Sequence, residues 1–185
     1  SAPPTAKSDE AFLAHVADEL QGVARTPWFV DCYRNVAWER QIGPSCGLAA
    51  LRMALRSFGA DEERLDGLLG VARGMGASSD GEMFDIAHLA DVARTATSTT
   101  VQLPFLVDIS VESVTPALLT SFDPASTLIL FPYDKGSGPG RPELRKGLSA
   151  HYCVFVARAR SKDDDEAAAT AILAVHGASS RLIGA

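Results

Sequence analysis

Cys46 stands where a polar, turn-forming stretch meets an apolar one, in Gln41-Ile42-Gly43-Pro44-Ser45-Cys46-Gly47-Leu48-Ala49-Ala50-Leu51. Gly43-Pro44-Ser45 signals a loop. The run from Cys46 to Phe58 reads as a buried helix, so the thiol sits at a helix N-terminus. The positive end of the helix dipole favours the thiolate there, and the thiolate is the nucleophilic form. Gly47 is expected to leave room beside the sulfur for a substrate backbone. Gln41 is spaced to aim its side-chain amide, with the Cys46 backbone N–H, at a developing oxyanion. One such donor contributes roughly 3 kcal/mol of transition-state stabilisation. A lone cysteine at a helix start is more often a small buried hydrophobe. The coincidence of Gln41, the Gly-Pro loop and the helix start is what marks Cys46 as a nucleophile. Cys32 and Cys153 lack that setting, and Cys153 lies inside a strand pattern that suits the core.

A thiolate needs a base, and four histidines are available. His15 and His88 lie in helical patterns among Ala and Leu, as surface or internally satisfied polar residues. His151 opens a strand directly after a long loop, in Ser149-Ala150-His151-Tyr152-Cys153-Val154. A strand start can hold an imidazole at a cleft edge, opposite a helix N-terminus from elsewhere in the fold. The plainer alternative is a histidine that merely ends a loop. His176 follows the next strand, in Ala174-Val175-His176-Gly177, and is placed to orient His151. A solvent-exposed strand end fits the same position. Asp134, after the strand Leu128–Tyr133, is the rival third group and a candidate to bind substrate. Asp163-Asp164-Asp165 reads as a solvated loop.

The elements that must position these groups follow from periodicity. Phe12, Leu13, Val16, Leu20 and Val23 repeat at helical spacing after Ser8, a candidate cap. Residues 27–38 look irregular, with Pro27, Trp28 and Trp38. A short helix is expected over Asp61–Val71, and another capped by Ser79-Asp80 and running through Met83 and Phe84 to Val92. Strand character follows at Thr99–Val107, Leu128–Phe131, His151–Ala159 and Ala171–Val175. Helices first and strands later favour an α+β domain with a mostly antiparallel sheet. Residues 1–29 form an N-terminal extension with a helix, and 30–185 the main domain. The chain stops just after a strand signal, at Ser180–Ala185, with no closing element, so the natural C-terminus is expected farther on.

Composition sets the outer limits. With 46% hydrophobic and 22% charged residues in 185, the chain suits one soluble globular domain. A net charge of -6 and no dense Lys/Arg stripe weigh against nucleic acid as a partner. No apolar run is long enough to span a bilayer, and the first residues lack the pattern of a signal peptide. Three irregularly spaced cysteines fit neither a disulfide framework nor a zinc site. A cytoplasmic protein with no metal or organic cofactor is the expectation.

Residues 41–54 resemble the nucleophile motif of the actin maturation proteases, cysteine peptidases related to the bacteriocin-processing C39 peptidases. Further pieces match in the same order: Gly81-Glu82-Met83-Phe84, Leu130-Phe131-Pro132-Tyr133-Asp134, Gly147-Leu148-Ser149-Ala150-His151-Tyr152 and His176-Gly177-Ala178-Ser179-Ser180. Tyr152 stands where the family commonly has Trp, and His176 where it commonly has Gln. The resemblance covers roughly residues 30 to 182. It implies a papain-like fold, with catalytic Gln, Cys and His at Gln41, Cys46 and His151. It also implies a reaction, removal of the N-acetylated N-terminal residue of immature actin. Arg141, Arg145 and Lys146, just before His151, are then candidates to attract the acidic substrate. Pro3-Pro4 faintly echoes a proline-rich region associated with profilin binding. Two other readings keep the motifs: a C39-like peptidase trimming a leader peptide or another protein, and an inactive module that binds actin or profilin.

Overall fold

The computed structural model describes residues 7–21, 28–98, 108–135, 150–161 and 170–184, with side chains described through Ser179. Helix α1 (Asp9–Gln21) starts where Ser8 Oγ accepts from the Ala11 N–H at 3.2 Å. It buries Phe12, Val16 and Leu20, and Phe12 stacks on Tyr33 at 5.5 Å. The helix of the N-terminal extension thus shares the core of the domain that follows. Strand β1 (Trp28–Tyr33) occupies the stretch that reads as irregular in sequence. Helix α2 (Cys46–Ser57) begins at the cysteine, and α3 (Glu62–Gly74) is capped by Asp61, whose carboxylate accepts from the Arg64 N–H at 2.8 Å.

Helix α4 (Ile86–Ser98) starts later than its apolar pattern suggests. Gly81 takes a φ of 100°, and Met83 is drawn inward against α2. Asp85, not Ser79-Asp80, then supplies the cap, accepting from the Ala87 N–H at 2.8 Å. A short helix, α5 (Pro116–Ser121), is set by Thr115 as cap and Pro116 in the first turn. The strand expected at Thr99–Val107 lies outside the described residues. The remaining strands are β2 (Ile129–Asp134), β3 (Ala150–Ser161), β4 (Thr170–His176) and β5 (Ser179–Gly184). β5 corrects the expectation that no element follows β4.

All strand pairings are antiparallel, as the α+β reading expects. The twelve-residue β3 is the spine. Its first half pairs with β2 and its second half with β1, along one edge. Its other edge pairs with β4, which carries β5. Alternation along β3 divides its side chains between the two faces. Tyr152, Val154 and Val156 join the large core with α2, α3 and α4, while Cys153 and Phe155 join a smaller cluster with Phe122, Tyr133, Ile172 and Ala174. Cys153 is core, as its strand setting suggests, with its sulfur donating to the Phe131 carbonyl at 3.4 Å.

The sheet is pinned at its bulged edge by charge. The β1–β3 register shifts between Val30 and Cys32, and Asp31 in between accepts from Arg158 Nε at 2.9 Å and Arg160 Nε at 3.0 Å. In the large core, Leu173 on β4 is fully buried. Leu173→Ala should destabilise the domain by about 2–5 kcal/mol, through lost burial and a residual cavity. A urea titration checks this by the drop in unfolding midpoint.

Candidate active site

The site forms where the start of α2 meets one end of the sheet. Pro44 and Ser45 turn the chain into α2, with Gly43 at a φ of 62° and Ser45 Oγ donating to the Ile42 carbonyl at 2.8 Å. Ser45 therefore does not cap the helix with its side chain. The backbone N–H groups of Cys46 and Gly47 are left to face the Cys46 sulfur, together with the N–H of Tyr152 on β3. Burial pushes the Cys46 thiol up; these N–H groups pull it down, and the Glu82 carboxylate pushes it up slightly. The helix-end effect expected from sequence is present, but burial outweighs it. The net direction favours the neutral thiol over the thiolate.

Gly47 has a different role from the one its sequence suggests. A Cβ there would meet Met83 Cβ at 3.0 Å and Tyr152 Cδ2 at 3.3 Å. The space beside Gly47 is packed protein rather than room for a substrate backbone. Glycine is required so that α2 can approach β3 and Met83 closely.

His151 and His176 are both buried, at 7% and 1% exposure. Their rings lie nearly perpendicular, with His151 Nε2 and His176 Nδ1 at 3.1 Å. One nitrogen donates and the other accepts. The ring nitrogen His151 has left for a thiol is Nδ1. Burial, then the neighbouring His176, then Lys135 push His151 down to about 4; burial and Lys135 push His176 down to about 4. Both imidazoles are neutral near pH 7, the state in which one can take a proton. Tyr133 sits opposite His151 in the β2–β3 register, and its ring is edge-on to both imidazoles at 5.7 and 6.3 Å. Tyr133 is buried and its hydroxyl has no partner among the described residues. Its place in the Leu130–Asp134 piece that resembles the family is the one sequence signal for it beyond the strand pattern.

Gln41 is held by its backbone, whose N–H donates to the Gly177 carbonyl at 2.9 Å. A Cβ on Gly177 would lie 2.9 Å from Gln41 Cβ, so the two segments touch. Beside it, Trp38 Nε1 donates to the His176 carbonyl at 3.0 Å. Glu39 binds Arg52 at 2.6 Å and Arg56 at 2.7 Å, fixing the same segment to α2. Gln41 Nε2 donates to the Gly43 carbonyl at 3.1 Å, leaving its second N–H for other use, and Oε1 is buried with no partner among the described residues.

The structure thus brings His151 and His176 into contact, ties Gln41 to the turn after His176, and sets Cys46 against the β3 backbone one residue from His151. Among the described residues the Cys46 thiol makes no hydrogen bond to either imidazole. Catalytic hydrogen bonds often tighten only when substrate is bound. Asp134 ends β2 opposite Ala150, one pair beyond Tyr133 and His151. Arg141, Arg145 and Lys146 lie outside the described residues. His88 is exposed, whereas His15 is half-buried with Nε2 unpartnered. No described helix is long and apolar enough to cross a membrane.

An α+β domain with a cysteine at a helix start beside a strand-borne histidine pair is what the coordinates define. Residues 36–158 match the family described as actin maturation protease-like, C-terminal domain, and the chain belongs to that family. It is 33% identical over 117 residues to the mouse protein named "Actin maturation protease", a match covering 62% of this chain and 31% of that relative. The matched stretch therefore spans about a third of the relative's length. No solved structure matches.

The low imidazole values carry a stability consequence. An unfolded histidine takes up a proton near pH 6.5, while these two resist until about pH 4. Between those values the unfolded chain binds more protons, so native stability falls as pH falls from about 6.5 to about 4. His176→Asn should flatten part of that slope, measured as urea midpoints for both proteins across the same pH range.

Proposed function

We propose that this chain is the catalytic domain of a papain-like cysteine peptidase that removes the N-acetylated first residue of immature actin. One observation carries the reading: a helix-start cysteine set against β3, whose buried His151 is hydrogen-bonded to the buried His176 at the end of β4. Family membership and the name of the mouse relative support actin as the substrate. A cytoplasmic setting goes with that substrate. Arg145 and Lys146 are the proposed attraction for its acidic N-terminus, Asp134 a proposed rim contact, and profilin a further proposed partner.

His151 Nδ1 takes the proton from Cys46 Sγ as the sulfur attacks the carbonyl of the acetylated residue. His151 becomes an imidazolium, and its Nε2–H is held by the neutral His176 Nδ1. The backbone N–H groups beside the sulfur and the second N–H of Gln41 Nε2 receive the oxyanion. Collapse breaks the C–N bond, and His151 returns its proton to the leaving amine. Water, deprotonated by His151, then attacks the thioester. Sulfur leaves as the acetylated amino acid departs.

The test is incubation with acetylated actin N-terminal peptides, read by mass spectrometry. Loss of the acetylated first residue is expected. Cys46→Ala should end turnover, and His151→Ala should lower kcat about 10²–10⁴-fold. Cleavage of leader peptides but not actin peptides would move the substrate. No Cys46-dependent cleavage of any peptide would leave a binding module.

A further inference from the structure

Two buried polar atoms beside the site have complementary needs and no partner among the described residues: Gln41 Oε1 and His176 Nε2. The first can only accept; the second donates in one of the two neutral tautomers of His176. Their chain segments are bound together, since the Gln41 N–H donates to the carbonyl of Gly177, the residue after His176. A buried polar atom left unpaired carries an uncompensated desolvation cost. Two such atoms on touching segments of one site call for an explanation in what the site does.

We propose that Gln41 Oε1 accepts a hydrogen bond from His176 Nε2–H through one buried water, and thereby sets the tautomers of both histidines. With its proton on Nε2, His176 offers a bare Nδ1 to the His151 Nε2–H, 3.1 Å away between the nitrogens. His151 then has a bare Nδ1, the form that can take the Cys46 proton. In the opposite arrangement His176 Nδ1–H donates to His151 Nε2, and the His151 proton sits on Nδ1. That blocks the nitrogen the thiol needs. Gln41 is in this respect a positioning residue, acting on Cys46 through two imidazoles. Its amide serves the site from both ends, since Oε1 sets the tautomer while Nε2 keeps a free N–H for the oxyanion. The proposal rests on the reading of Cys46 as nucleophile and His151 as base.

The test separates the two ends of the amide. Alkylation of Cys46 by iodoacetamide forms a C–S bond and expels iodide, with the thiol proton passing to His151. No oxyanion forms, so an oxyanion role alone leaves this rate unchanged. Gln41→Ala should slow alkylation about fivefold, the effect of losing one net hydrogen bond. Gln41→Glu keeps an acceptor for His176 Nε2–H, so its alkylation should be faster than that of Gln41→Ala. Its peptide hydrolysis should fall, because a carboxylate repels the oxyanion. Ring-nitrogen NMR of the unmodified protein should show His176 protonated on Nε2. Equal alkylation by the unmodified protein and Gln41→Ala, a Gln41→Glu rate as low as that of Gln41→Ala, or His176 protonated on Nδ1 would each overturn the proposal. His151→Ala is the control for the underlying reading. If it leaves alkylation unchanged, the nucleophile–base pairing fails, while the NMR tautomer still decides the Gln41–His176 contact.

Discussion

Two neutral imidazoles buried side by side have one proton each, and they share one hydrogen bond. That constraint governs the site. The bond between His151 Nε2 and His176 Nδ1 fixes which nitrogen of His151 remains for Cys46, and the location of its proton decides whether that nitrogen is basic. Burial keeps both rings neutral near pH 7. The same burial keeps the thiol protonated against the pull of the helix end. Deprotonating Cys46 near pH 7 would therefore take a base, a consequence of the environment that α2 and the sheet create.

The fold holds this arrangement through short ties rather than one large contact. His151 and His176 lie near adjacent ends of β3 and β4, and Tyr133 on β2 closes the set from the other edge. The segment before Cys46 is fastened at both sides. Trp38 and Gln41 bind the end of β4, and Glu39 binds Arg52 and Arg56 on α2. Gly47 and Gly177 mark the two close approaches where any side chain would push these pieces apart. The tertiary geometry of the site therefore depends also on residues with no proposed chemistry, among them Trp38, Glu39, Gly47 and Gly177.

Local pattern made much of this legible. Cys46 after a Gly-Pro loop and before an apolar run marks a helix start, and α2 begins there. The β-branched and aromatic run after His151 marks β3, and the apolar run before His176 marks β4. Elements whose stabilising partners are distant were not legible. β1 contains Asp31, a poor strand residue until Arg158 and Arg160 from β3 neutralise it. β5 is short and starts with two serines, and its partner β4 is what makes it a strand. The apolar pattern of α4 extends back to Met83, yet Met83 belongs to the contact with Gly47, so the helix waits for Asp85.

Sequence alone determined which groups have chemistry to offer: a thiol at a helix N-terminus, histidines at strand ends, and an amide five residues before the thiol. These follow from neighbours within a few positions, where turn propensity and apolar periodicity act. Only the tertiary structure decided how those groups meet. It joined His176 to His151, brought Gln41 against Gly177, turned Gly47 from an opening into a packing contact, and let burial outweigh the helix dipole at Cys46. Each of those outcomes depends on desolvation and contact between segments far apart in the chain, and a local pattern carries no record of either.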